Sequence, residues 1–204
     1  MFKFIDRIKV AILHQLSNFR IYPWPLFLIY NPHTFTVKGH HYYEARKLLQ
    51  PGDMLLRGYK QYLSGYLIPG KYSHVGIYIG GDEEQIVHAF PDTVQYANLA
   101  HFMRCDTFAI VRPNVSKKDI KLALDRAISK VGTAYDFNFI FEETDFTARQ
   151  FSCSELCYFA YQKNLNKLKW VIEETKYLFF RKSLFTPDAC LPSEGSSSKT
   201  IYEI

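Results

Sequence analysis

The run Tyr72-Ser73-His74-Val75-Gly76-Ile77-Tyr78-Ile79-Gly80 constrains this chain more than any other. β-Branched and aromatic residues fill it, and a Gly80-Gly81-Asp82 turn follows, so it reads as a strand entering a hairpin. Side chains on a strand alternate faces. Tyr72, His74, Gly76 and Tyr78 therefore share one face, while Ser73, Val75, Ile77 and Ile79 share the other, read as the core face. Glu84–Phe90 is the expected return strand. With the turn centred on Gly81, His74 lies directly opposite His88, about 4.5–5.5 Å away at Cβ. At that distance one imidazole can hydrogen-bond and orient the other. Gly76, on the same face, leaves room for a close approach.

A second stretch gives this strand its meaning: Phe151-Ser152-Cys153-Ser154-Glu155-Leu156-Cys157. The spacing predicts a helix starting near Cys153, with Cys153, Leu156, Cys157 and Ala160 on one face. That apolar face packs most economically on the sheet, which turns Cys153 toward a sheet residue such as His74. A thiol is a weak nucleophile until it ionises, and a helix N-terminus favours the thiolate. A neighbouring imidazole can hold the proton and return it to the leaving group, and a third polar residue fixes that imidazole's tautomer. Cys153, His74 and His88 fill these three roles, and the backbone N–H of Cys153 is the natural oxyanion donor. The chemistry expected is acyl transfer at an amide or ester carbonyl. A cysteine on an apolar helix face is ordinarily a small core residue, and Cys105, Cys157 and Cys190 are read that way.

Composition narrows the field. The 204 residues suit one sizeable domain. At 48% hydrophobic residues the chain can fill a core. A net charge of +5, with both signs interspersed and no Lys/Arg block, does not point to nucleic acid. The four cysteines lack the spacing of a disulfide framework. Cys153 and Cys157 lack a second ligand pair at zinc spacing, so neither a metal nor another cofactor is expected.

Three segments are expected. Residues 1–30 comprise an amphipathic helix over 2–19, with Phe4, Ile5, Ile8, Ile12, Leu16 and Phe19 at helical spacing, then the apolar run Tyr22–Tyr30. Asp6, Arg7 and Lys9 interrupt the apolar run and no small-residue cleavage site follows, so no cleavable signal peptide is read and a cytoplasmic location is expected. The same segment offers peripheral membrane contact through a basic amphipathic helix. Residues 31–190 form the hydrolase domain, with strands at Met54–Tyr59 and Thr107–Arg112 and a helix capped by Ser116. The serine-rich end, 191–204, reads as a flexible tail.

Pro51-Gly52-Asp53-Met54-Leu55-Leu56, Ser73-His74-Val75-Gly76-Ile77-Tyr78, Val87-His88-Ala89, Tyr135-Asp136 and Ser152-Cys153-Ser154-Glu155-Leu156 together resemble the permuted papain-like hydrolases of the YaeF/YiiX type, relatives of the NlpC-type peptidases. The resemblance spans roughly residues 30–190. His74 precedes Cys153, the order that the permuted group implies. The resemblance implies an α+β papain-like fold, circularly permuted, with an antiparallel sheet and the nucleophile helix packed against it. It also implies Cys153 as nucleophile, His74 as base and His88 as the third residue; a histidine there is similar to the lecithin:retinol acyltransferase branch. The expected substrate is an amide in a small peptide or N-acyl amine. The alternatives are a membrane-associated lipid hydrolase or acyltransferase, and a non-catalytic binding module on the same fold.

Overall fold

A computed structural model of the chain describes residues 8, 11–12, 15–16, 19–23, 26–30, 35–60, 62, 68, 70–137, 141, 150–177 and 180–204. Residues 8, 11–12 and 15–16 are helical, and the rest of the expected 2–19 helix up to residue 18 lies outside the described residues. Phe19, the last residue of the expected helix, instead opens β1 (Phe19–Pro23), which pairs with β2 (Leu26–Tyr30), so the apolar run Tyr22–Tyr30 holds the end of one strand and all of the other.

The domain is built on a six-stranded antiparallel sheet. In chain order its strands are β3 (Met54–Gly58), β4 (His74–Gly80), β5 (Gln85–Phe90), β6 (Thr93–Asn98), β7 (Thr107–Arg112) and β10 (Lys199–Glu203), while β8 (Glu173–Tyr177) and β9 (Phe180–Leu184) pair with each other as a separate hairpin. Their spatial order is β10-β7-β3-β4-β5-β6. Period-2 alternation sorts the side chains onto two buried faces. Met54, Leu56, Val75, Ile77, Val87, Ala89, Ala109 and Val111 share one face with Leu156, Cys157 and Ala123 of two helices. These helices are α3 (Lys117–Ile128) and α4 (Cys153–Tyr161). On the other face Leu55, Tyr78, Ile86, Phe108 and Ile110 meet Ala45 and Phe102, from α1 (Gly39–Leu48) and α2 (Leu99–Phe102). The sheet is therefore the middle layer of three, and strands covered on both sides lose the clean polar alternation of a half-exposed sheet.

Two expectations change. The 191–204 tail is not free: Lys199–Glu203 pairs with β7. Its end is tied down by Tyr202 Oη donating to Glu44 at 2.7 Å and Tyr72 Oη donating to Glu203 at 2.9 Å. The serines misled because they fill the connection, while Lys-Thr-Ile-Tyr-Glu beyond them is a strand sequence. The hairpin register is also different. Ile77 pairs with Val87 and Tyr78 with Ile86, and the register shifts between Tyr78 and Gly80. The bulge moves the partner of His88 from His74 to the neighbourhood of Gly76. Because the offset is two residues, both histidines stay on one face.

Candidate active site

His74 opens β4, and the loop before it is pinned. The Asp188 carboxylate accepts from the Lys71 and Tyr72 backbone N–H groups at 2.7 and 2.8 Å. Gly70, at φ +116°, lets Asp188 approach where a Cβ would stand 2.5 Å from it. His88 lies in mid-β5, and its Nδ1 is 2.8 Å from His74 Nε2. Gly76 makes this diagonal contact possible: a Cβ there would sit 3.1 Å from His88 Cβ and 2.7 Å from Ile86. Phe90 and Phe102 enclose the pair, with ring centroids 5.7 and 5.6 Å from His74.

Arg57, on β3, is the third member of this face and one that the sequence reading passed over. It pairs with His74 in register, is 3% exposed, and lays its guanidinium 4.6 Å from the Phe102 centroid. Its charge, after burial, holds His74 well below the usual histidine range. Burial first, then Arg57 and His101, bring His88 down to about 3. Both imidazoles are therefore neutral. A charge in the middle of the apolar strand Met54-Leu55-Leu56-Arg57 was the available signal, since lone buried charges are rare.

Cys153 is the first residue of α4. The helix starts there because Ser152 and Glu155 form a capping box: Ser152 Oγ accepts from Glu155 N–H at 3.4 Å, and Glu155 accepts from Ser152 N–H at 2.9 Å. The thiol is 4% exposed. It lies with the α3–α4 face of the sheet, opposite the histidine rings. The Val75 and Ser154 backbone N–H groups lie near enough to the sulfur to favour its ionised form. The Val75 amide belongs to the peptide that joins His74 to Val75, so the thiol reaches the histidine's backbone rather than its ring. Among the described residues no hydrogen bond joins Cys153 to the His74 ring, and His74 Nδ1 has no protein partner. Burial outweighs the amides and the Arg57 charge, and the thiol is pushed up to about 12. The helix-terminus argument for a resting thiolate is thus overridden by desolvation. Cys157, one turn on, hydrogen-bonds Cys190, and both are fully buried. Cys105 is likewise core, its thiol donating to Met103 O at 3.5 Å.

Comparison with known proteins gives one family and one fold. Residues 48–200 match the family described as permuted papain-like amidase enzyme, YaeF/YiiX, C92 family. Among solved structures, the chain is similar to the crystal structure of metalloprotein yiiX from Escherichia coli O157:H7. The TM-score is 0.60 at 17% identity, covering 77% of this chain and 98% of that one. No curated protein matches significantly. That neighbour is titled a metalloprotein, but here no group of three or more His, Cys, Asp or Glu among the described residues is arranged to hold a metal ion.

Proposed function

Since the chain belongs to the YaeF/YiiX permuted papain-like amidase family, a family of hydrolases, we propose that it cleaves an amide bond of a small peptide or N-acyl amine through a thiol acyl-enzyme. Cys153 is the nucleophile, His74 the base and His88 the residue that orients His74. The observation that carries the reading is the 2.8 Å His74–His88 hydrogen bond, which leaves His74 Nδ1 as the free ring nitrogen, while the Val75 amide next in the chain is close enough to act on the Cys153 thiol.

Chemistry follows from that tautomer. In the tautomer this mechanism requires, His74 donates its Nε2 proton to His88 Nδ1, so Nδ1 carries the lone pair. As Cys153 Sγ attacks the carbonyl carbon, the thiol proton moves to Nδ1 and the carbonyl oxygen becomes an oxyanion. The backbone N–H at the start of α4 is the proposed oxyanion donor. Collapse expels the amine, which takes the Nδ1 proton and leaves a thioester. Water, deprotonated by the same nitrogen, then releases the acid and restores the thiol.

The test is turnover of a panel of dipeptides and N-acyl amines, with the acyl-enzyme trapped and located by mass spectrometry. Loss of turnover in Cys153→Ala, with the adduct on Cys153 in the wild type, supports the reading. Full turnover in Cys153→Ala ends it.

The 4% exposure of Cys153 favours a second reading, a non-catalytic binding module. An adduct at Cys153 during turnover separates the two. Membrane contact through residues 1–30 is a further proposal, supported by Ile8 and Ile12, 44% and 53% exposed one helical turn apart. It predicts that anionic vesicles float the full chain but not a 31–204 fragment that keeps its native circular dichroism. Among the described residues no helix is long and apolar enough to cross a membrane.

A further inference from the structure

Arg57 is a buried cation, 3% exposed. Of its five donor hydrogens, Nη1 bonds the Phe102 carbonyl at 3.3 Å, and buried Nε has no partner at all. Among the described residues no carboxylate pairs with it. The same sheet shows what a satisfied arginine looks like: Arg112 meets both Asp53 oxygens at 2.7 Å and the Leu48 carbonyl as well. Arg57 instead lies between rings, 5.4 Å from the Phe90 centroid and 4.6 Å from that of Phe102. Cation–π contact offsets part of the lost hydration, but it uses the faces of the guanidinium and leaves its edge with only the long Phe102 bond.

Beside it is an open cavity of about 300 Å³, lined by His88, Phe90, Gln95, Tyr96, Asn98 and His101. The Phe90 ring is the shared wall, with the guanidinium near it and the cavity against it. The cavity carries its own donors. Asn98 spends its side-chain oxygen on the His101 backbone N–H at 2.8 Å, which leaves its amide NH₂ unspent. The Arg57 charge is felt at His74, His88, His101 and Cys153 alike, so one cation acts on every reactive group of the site.

We propose that Arg57 and the His88–His101 cavity form an anion subsite that receives a carboxylate carried by the substrate. Its role in catalysis rests on the hydrolase reading above; the binding itself does not. A planar guanidinium fork matches a carboxylate through two parallel hydrogen bonds, and the burial of Arg57, 3% exposed, makes that pairing strong. The pairing has a consequence for the neighbours. A bound anion cancels the charge that opposes an imidazolium at His74, so the base gains proton affinity when substrate arrives. Substrates with a carboxylate near the scissile amide are then cleaved in preference to their neutral amides.

The experiment is a titration of the whole protein with sodium acetate and, separately, inorganic phosphate. It is read at the Arg57 Nε and His101 ring signals by NMR, against sodium chloride at equal ionic strength. A saturable acetate shift beyond the chloride control is expected in the wild type. Arg57→Gln is expected to weaken acetate binding at His101 about tenfold or more, as loss of charge-assisted hydrogen bonds implies. Arg57→Lys, which keeps the charge without the fork, falls between. No acetate shift beyond chloride overturns the proposal, and so does phosphate binding without acetate binding. If either variant fails to fold, the wild-type Arg57 signal still decides. A null titration with an active enzyme sinks the subsite alone; a clear titration with an inert Cys153 sinks the hydrolase reading alone.

Discussion

Alkylation of Cys153 by iodoacetamide is expected to be slow at neutral pH and to climb steadily with pH. The perturbation is pH itself, in the wild type and in His74→Ala. Burial pushes the thiol up to about 12, and the Val75 and Ser154 amides do not offset it. At pH 8 the thiolate fraction is then about one in ten thousand, against about one in four for a free thiol with pKa near 8.5. The rate should therefore lie about three orders of magnitude below that of the unfolded chain, with 4% exposure slowing it further. Peptide mass spectrometry reads the four buried cysteines separately, and the urea-unfolded protein supplies the reference. The logarithm of the rate should rise by about one per pH unit between pH 7 and 10, since only thiolate reacts. His74→Ala should leave that profile in place, because the resting pair is neutral on both sides. A rate plateau below pH 8.5 that His74→Ala abolishes would refute the reasoning, since it would mean a thiolate–imidazolium pair already stands in the resting protein.

Gly76→Ala should uncouple the histidines: its Cβ meets Ile86 at 2.7 Å and His88 and Phe102 at 3.1 Å. An overpacking cost of about 1–3 kcal/mol in urea unfolding is expected, with a larger loss in turnover; wild-type turnover would contradict it. Acid should destabilise the fold before any carboxylate titrates. The His88 value falls from 6.5 to about 3 on folding, so the unfolded state binds the extra proton. Stability is full above pH 6.5 and is lost as pH falls toward 3, by about 1.4 kcal/mol per unit and about 5 kcal/mol in all. His74 acts in the same direction, and His88→Gln should flatten the slope measured by denaturant titration. Ser152→Ala removes the cap at the start of α4 and should cost about 1 kcal/mol; an unchanged urea midpoint would argue against the capping box. Deleting residues 199–204 strips β10 from β7 and removes the Lys71–Glu203 ion pair at 2.6 Å. A lower melting temperature and self-association through the bared β7 edge are expected by calorimetry and light scattering.

What could be read from the sequence was local. The alternation through Tyr72–Gly80 placed His74 and Gly76 on one face, and the helix start at Cys153 was set by its own capping residues. A two-residue error in register did no harm to the histidine pair because strand periodicity is also two. Properties that depend on distant segments were not legible. Lys199–Glu203 is a strand because β7 offers it an edge. α4 does pack on the sheet, but its period does not say which face it covers, and it covers the face away from the histidine rings. Arg57 lay in plain view beside Leu56, yet its importance comes from Phe90, Phe102, His74 and His88 converging on it from other elements.

The two-sided arrangement also sets what the proposed reaction requires of a site this dry. Cys153 lies against one face of the sheet and the His74 ring belongs to the other, so the strand between them must be open where they meet. Val75 marks that opening on the β5 side: it pairs with Leu56 of β3, while the β4–β5 ladder starts only at Ile77. Desolvation raises the cost of separating charge across this gap before substrate binds. It does not tax a proton transfer concerted with attack, because the negative charge then moves on to the carbonyl oxygen rather than resting on sulfur. The imidazolium formed in that step keeps its Nε2–H on His88, 2.8 Å away. Its electrostatic opponent is Arg57, so under the proposed anion subsite an incoming carboxylate would lower the cost of forming it.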